Sequence, residues 1–247
     1  MTVHEYWKAS REPRYSLLFA FPLLALYEML AFAMSRSAFA GVRNGADVLL
    51  KTAFVATGGR HGLAAFTLLL LGAGAWFFWR DRRSHPGPLI PRFFGGMLIE
   101  SLIYAALLGG VVSSLTALLL EGPLAIYQGA TGPARLPVTA QLVVSLGAGL
   151  YEELLFRVLL VSAIAGIAAR LRWKRSAGVG AAVVGSALIF SAFHYIGPLG
   201  DTLTLASFTF RAVAGVLLSG LYVTRGFGIA AWTHALYDVG LALIDSG

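Results

Sequence analysis

The chain has 247 residues, of which 57% are hydrophobic and only 13% are charged, about half the charged share of an ordinary soluble domain. This composition excludes a soluble globular protein and indicates a polytopic membrane protein. The chain has no cysteine, which excludes disulfides, thiolate nucleophiles and cysteine-ligated metals. Its net charge of +7 falls in short clusters between apolar runs, so we expect a lipid bilayer and no nucleic acid as its partner.

Apolar runs that are long enough to cross a bilayer recur along the chain. We predict an all-α, polytopic transmembrane helical bundle of about seven spans, which forms one membrane domain over residues 1–247. The predicted spans are 15–34, 63–79, 93–120, 137–168, 177–196, 205–223 and 227–244. Residues 35–62 are mixed in polarity and are predicted to contain an interfacial amphipathic helix. Residues 137–245 carry the polar motifs described below and are predicted to be the catalytic half.

The basic residues between the spans set the predicted orientation. If the N-terminus is inside, the inner loops hold most of the loop cations, including the clusters at 80–83 and 170–175. The outer loops then hold Arg36, Arg43, Lys51, Arg60 and Arg135. This asymmetry favours a cytoplasmic N-terminus.

The fourth predicted span carries three charged residues in an otherwise apolar run: Glu152, Glu153 and Arg157. An ionised carboxylate at the bilayer centre costs roughly 2.5 to 3.5 kcal/mol on insertion scales, so two adjacent ones indicate a functional site. Residues four apart share a helix face, which predicts that Glu153 pairs with Arg157 and leaves Glu152 without its own cation. The alternative is that the three residues form only a helix-packing ion cluster.

Two further polar motifs lie in the last spans. His194 follows Phe190 by one helical turn, and Asp238 follows His234 by one turn. A single histidine in a membrane helix is more often a hydrogen-bonded packing residue than a catalyst. The second pair can act as a unit, because a carboxylate can orient an imidazole or both groups can address one substrate. Three polar clusters on three separate helices favour a shared site over packing alone.

In order and approximate spacing, the motifs Glu152-Glu153-x-x-x-Arg157, Phe190-x-x-x-His194 and His234-x-x-x-Asp238 resemble those of the CPBP family of intramembrane proteases. That family includes the CAAX prenyl endopeptidases and bacteriocin-processing proteins. The resemblance covers residues 149–238. It implies that Glu152 and His194 activate a water for attack on a peptide carbonyl, with Glu153, Arg157 and Phe190 in support.

The resemblance also implies that His234 and the residue four beyond it stabilise the oxyanion. Asparagine usually occupies that last position, whereas this chain has Asp238. An ionised aspartate cannot donate a hydrogen bond to an oxyanion, so Asp238 must be protonated, orient His234 or bind a metal. Family members have been described both as metalloproteases and as metal-free glutamic proteases. A Zn²⁺ ion held by Glu152, His194 and His234 therefore stays open beside a metal-free mechanism.

The function implied is that of an intramembrane endopeptidase that acts on a lipid-anchored or membrane-tethered peptide. Candidate substrates are a prenylated CAAX-like tail, a leader peptide or a C-terminal sorting anchor, and the expected location is a bacterial or archaeal inner (plasma) membrane. One alternative is a non-catalytic immunity or scaffold protein of the same family. A small-solute transporter is a further alternative, which is less favoured because no internal repeat is visible.

Overall fold

The computed structural model describes residues 2–34, 41–120, 136–197 and 200–244. Within these ranges the chain is helical and contains no strand, as the sequence predicted. The helices are α1 (Val3–Ala9), α2 (Pro13–Met34), α3 (Gly45–Gly58), α4 (Gly62–Ser84), α5 (Pro91–Leu119), α6 (Val138–Gly147), a π-helical segment (Ala148–Val161), α7 (Ser162–Arg170), α8 (Arg175–Phe193), α9 (Leu205–Arg225) and α10 (Phe227–Ile244).

Six stretches in the described ranges are long and apolar enough to cross a membrane, and they contain α2, α3 with α4, α5, α8, α9 and α10. The protein is therefore an integral membrane protein, and the transmembrane bundle is confirmed. The predicted fourth span is helical throughout 138–170, but its winding changes twice, so no single segment of it reaches spanning length. We call 138–170 the motif helix.

Helices α3 and α4 form a hairpin rather than one long helix. A three-residue 3₁₀ turn, Gly59–His61, separates them, and Gly59 has a φ of 53°, a left-handed conformation that glycine adopts at little cost. A side chain at Gly62 would place its Cβ 2.2 Å from the carbonyl oxygen of Phe54. Glycine at the start of α4 therefore lets the two helices meet closely at the turn.

The polar side chains of α3 point into the protein. An interfacial helix was expected within residues 35–62, so the position of these side chains differs from that expectation. Asp47 and Lys51 are buried, whereas Leu49 is exposed. Lys51 Nζ lies 2.7 Å from Asp47 and 2.8 Å from Glu28 of α2, and Arg43 lies 2.8 Å from Asp47. The polar side of the helix therefore contributes to a buried ion network. Residues 35–40 of the expected segment lie outside the described ranges.

Helix α10 is the centre of the bundle. It packs against α2, α5, α6, α9 and the π-helical segment, and its apolar stretch has the largest buried share of the six, at 44%. Small residues make this possible, because Ala230, Ala231 and Ala235 are fully buried and let neighbouring helices approach. His234 lies among them, so the fold brings one histidine against the motif helix.

Candidate active site

Two glycines allow other helices to reach the motif helix. A Cβ at Gly149 would lie 2.5 Å from the carbonyl oxygen of Ala231, and a Cβ at Gly147 would lie 2.7 Å from the Cβ of Asn44. Neither distance is sterically possible without movement of backbone or buried side chains. Glycine at these positions therefore allows α10 to pack closely on one side of the motif helix and the start of α3 on the other.

Glu152 lies in the π-helical segment, a winding that is rare in proteins and is frequently found at functional sites. Its side chain is buried, with 7% of the residue exposed. Oε1 accepts a hydrogen bond from Nδ2 of Asn44 at 2.8 Å. Oε2 is buried without a hydrogen-bond partner and lies 4.0 Å from Nε2 of His194. The structure therefore brings together the two residues that were predicted to activate water.

His194 follows directly after the last residue of α8. Its Nδ1 lies 2.8 Å from the carbonyl oxygen of Phe190, and because a carbonyl only accepts hydrogen bonds, Nδ1 carries the proton. In the neutral ring Nε2 is then an acceptor that faces Glu152. The ring also contacts that of Phe190 edge-on, with the centroids 4.7 Å apart. The position of His194 is thus set by the helix end on which it sits.

Glu153 holds two partners at once. Its Oε1 lies 3.2 Å from Nη1 of Arg157 on the same helix face and 2.8 Å from Nδ1 of His234 in α10. Both Glu153 and Arg157 have no exposed surface. The pair expected from the four-residue spacing is present, and it is extended by a contact between two helices.

Asp238 lies on the other side of His234. Its Oδ2 is 3.5 Å from Nε2 of the histidine, a distance longer than an ordinary hydrogen bond. The imidazole therefore lies between two carboxylates, because Glu153 faces its other nitrogen. Carboxylates only accept hydrogen bonds, so a ring that is protonated on both nitrogens satisfies both sides.

Phe190 lies at the middle of the cluster. The guanidinium of Arg157 lies over the face of the Phe190 ring, with its central carbon 4.4 Å from the ring centroid. Its ring also contacts His194 and, at 6.1 Å between centroids, His234. Phe190 therefore separates the buried Arg157 from the two histidines. An arginine over an aromatic face in a desolvated site is stabilised by about 2 kcal/mol.

Sequence reasoning missed one residue of this site, Asn44. Its side-chain oxygen accepts a hydrogen bond from the backbone N–H of Ala46 at the start of α3, and its amide nitrogen contacts Glu152. An asparagine before a helix is a common N-cap, so its sequence signal indicates a capping role only. The contact with Glu152 joins residues 108 positions apart and has no local signal.

A shared Zn²⁺ site for Glu152, His194 and His234 fits the donor geometry poorly. The ligand atoms of these three residues do not all come within 4.8 Å of one another, and Nδ1 of His234 is already engaged by Glu153 at 2.8 Å. Binding of Zn²⁺ by these residues stays a prediction, and no step below depends on it.

Across the described ranges, one group of side chains has ligand atoms that converge as metal ligands do: Glu12, Asp81 and His85. The guanidinium of Arg14 lies 2.9 Å from Glu12 and 3.8 Å from Asp81. These carboxylates are therefore already paired with a cation at the start of α2.

Residues 134–240 match the model of one protein family, the type II CAAX prenyl endopeptidase Rce1-like proteins. The match covers less than half of the chain, contains all three motifs and supports membership of the CPBP/CAAX protease family. No curated protein and no solved structure matches the chain.

Proposed function

We propose that the protein is an intramembrane endopeptidase that hydrolyses a peptide bond with a water activated by Glu152 and His194. The observation that carries this proposal is the pair of facing acceptors, Oε2 of Glu152 and Nε2 of His194, at 4.0 Å. The family supports a protease of the CAAX type in general. The roles proposed for Glu152 and His194 are those that the resemblance of the motifs implies.

The distance between the two acceptors suits one bridging water. A water that donates one hydrogen to each atom at about 2.8 Å has its two hydrogen bonds about 90° apart, close to the angle between its own O–H bonds. Its lone pairs then point away from both residues. Such a water is polarised at both hydrogens and is oriented to attack a carbonyl carbon.

In the proposed reaction the oxygen of this water bonds to the peptide carbonyl carbon, and one proton moves to Oε2 of Glu152. The carbonyl oxygen becomes an oxyanion. When the C–N bond breaks, Glu152 returns the proton to the departing amine, so no proton is gained or lost overall. His194 holds the water at its second hydrogen throughout.

His234 is the donor that we assign to the oxyanion. Its Nδ1 is tied to Glu153 at 2.8 Å, whereas Nε2 is held only loosely by Asp238 at 3.5 Å. A fixed ring with one weakly engaged N–H suits a group that must bind charge as it develops. Asp238 then orients the ring and balances its charge.

The proposed substrate is a membrane-tethered peptide. Glu152 is buried between helices, while the side chains of His194 and Asp238 are 25% and 29% exposed and form the open side of the site. With the N-terminus cytoplasmic, this end of α8 faces outward. That orientation favours a substrate with its own transmembrane anchor over a cytosolic prenylated tail.

The test compares membrane-protein termini by mass spectrometry in cells that lack the chain, express it, or express Glu152→Gln at the same level. The proposal expects at least one new peptide terminus that requires the wild-type chain and is missing with Glu152→Gln. Identical termini with wild-type protein and with Glu152→Gln would contradict it and would favour a non-catalytic scaffold of the same family.

A further inference from the structure

An amide from the N-terminal half of the chain contacts the proposed general base. Asn44 immediately precedes α3, is 3% exposed, and donates from Nδ2 to Oε1 of Glu152 at 2.8 Å. It lies outside residues 134–240, the part that matches the protease family. The site is therefore completed by a residue that the matching segment does not contain.

Three contacts fix the orientation of this asparagine. Its Oδ1 accepts from the backbone N–H of Ala46 at 2.8 Å, which leaves Nδ2 as the end that points to Glu152. Its own backbone N–H donates to the hydroxyl oxygen of Tyr27 at 3.2 Å, and that hydroxyl donates to Asp47 at 2.8 Å. Both the backbone and the side chain of Asn44 are therefore fixed, and the side chain packs against Gly147.

The consequence for Glu152 is that its two oxygens have different surroundings. Oε1 is occupied by Asn44, and Oε2 is left without a hydrogen-bond partner and faces His194. A neutral amide can hold one oxygen without adding a positive charge that would compete for the other. The adjacent Glu153 is held differently, because the cation of Arg157 faces it at 3.2 Å.

We propose that Asn44 is a positioning residue that turns Oε2 of Glu152 toward His194, an inference that rests on the function proposed for Glu152. Asn44 acts through Glu152 and does not touch the reacting atoms. Its loss frees the carboxylate to rotate about its last bond, so the water is held correctly in a smaller fraction of molecules. The effect falls on kcat rather than on substrate affinity.

The test separates this role from helix capping. Serine and threonine are both preferred N-caps, so Asn44→Ser and Asn44→Thr can preserve the bond to Ala46 while removing the amide donor. A hydrogen bond to a charged group corresponds to a rate factor of about 10 to 100. We expect both purified variants to lose that factor in kcat, with KM within about twofold of wild type and a cooperative melting transition that shows a folded protein.

Thr2→Ala is the matched control, because Thr2 caps α1 through the backbone N–H of Glu5 and has no contact with the site. It should keep full activity. If Asn44→Ser or Asn44→Thr folds normally and keeps kcat within twofold, Asn44 is only a cap and the inference is overturned. Asn44→Thr serves if the serine variant fails to fold. Failure of the proposed function would be seen separately: Glu152→Gln would then turn over substrate as fast as the wild-type protein.

Discussion

Oε1 of Glu153 lies 2.8 Å from Nδ1 of His234, and this contact joins the motif helix to the central helix α10. Because the same oxygen also faces Arg157 at 3.2 Å, one carboxylate links a cation in its own helix to a histidine in the next. Glu152 and Glu153 are adjacent in sequence, yet a neutral amide holds Glu152 and a cation holds Glu153. The arrangement of the site therefore depends on which way each glutamate points.

Arg157→Ala should destabilise the protein. Removal of one partner from a buried ion pair leaves the other charge uncompensated, which costs about 3 to 5 kcal/mol. We expect a lower yield and a lower melting temperature in detergent, together with reduced activity. Arg170→Ala, an exposed arginine of the same helix, should change neither. An unchanged melting curve in inactive Arg157→Ala would instead give Arg157 a direct part in the chemistry.

Gly149→Ala should move α10 away from the motif helix. The added Cβ would lie 2.5 Å from the backbone of Ala231 and from the side chain of Ala235, and overpacking of this kind costs about 1 to 3 kcal/mol. Since His234 lies on the displaced helix, activity should fall with stability. Gly166→Ala is the matched control, because its added Cβ meets no atom within 4 Å. Equal behaviour of the two variants in a thermal-shift assay would show that the close approach is unimportant.

Asp238 is expected to orient His234 by accepting a hydrogen bond from Nε2. The side-chain oxygen of asparagine can accept the same bond, so Asp238→Asn should keep kcat/KM within about tenfold of wild type, whereas Asp238→Ala should lose more than that. Comparison of the two variants measures the role of the carboxylate as an acceptor. If Asn and Ala reduce activity equally, the negative charge itself, rather than the accepted bond, is required.

The orientation of the chain in the membrane can be tested because the protein has no cysteine of its own. If the N-terminus is cytoplasmic, the start of α8 is inside the cell and the region that follows α8 is outside. A single cysteine at the exposed position of Thr202 should therefore react with an impermeant thiol reagent added to intact cells, and one at Ser176 should not. The reverse labelling pattern would put the open side of the site in the cytoplasm and would favour a cytosolic prenylated tail as substrate.

Much of the fold followed from patterns within short stretches of sequence. Apolar runs predicted the membrane helices, and the four-residue spacing predicted that Glu153 and Arg157 would share a face. Both patterns are local, because helix geometry alone relates residues three or four apart. The change to π-helical winding at Ala148 has no comparable local signal and was not predicted.

Contacts between distant segments could not be predicted in this way. The polar side chains of α3 point inward because Glu28 of α2 meets Lys51 at 2.8 Å, and sequence polarity does not distinguish a buried partner from water. The contact of Asn44 with Glu152 depends on the close approach that Gly147 permits. Each of these contacts requires the packed bundle, so the N-terminal half gave no indication that it completes the site.

Glu152 and His194 are proposed to hold one water between them, and a double-mutant cycle tests this shared water most directly. Glu152→Gln, His194→Gln and the double variant would be purified and their kcat values measured on a substrate identified from the terminus comparison. General acid–base groups contribute roughly 10² to 10⁴ in rate, and residues that act as a unit are far from additive. We predict that each single variant loses at least about 100-fold and that the double variant loses no more than the worse single one. Losses that multiply, or a single variant that keeps near-wild-type turnover in a folded protein, would contradict the shared water.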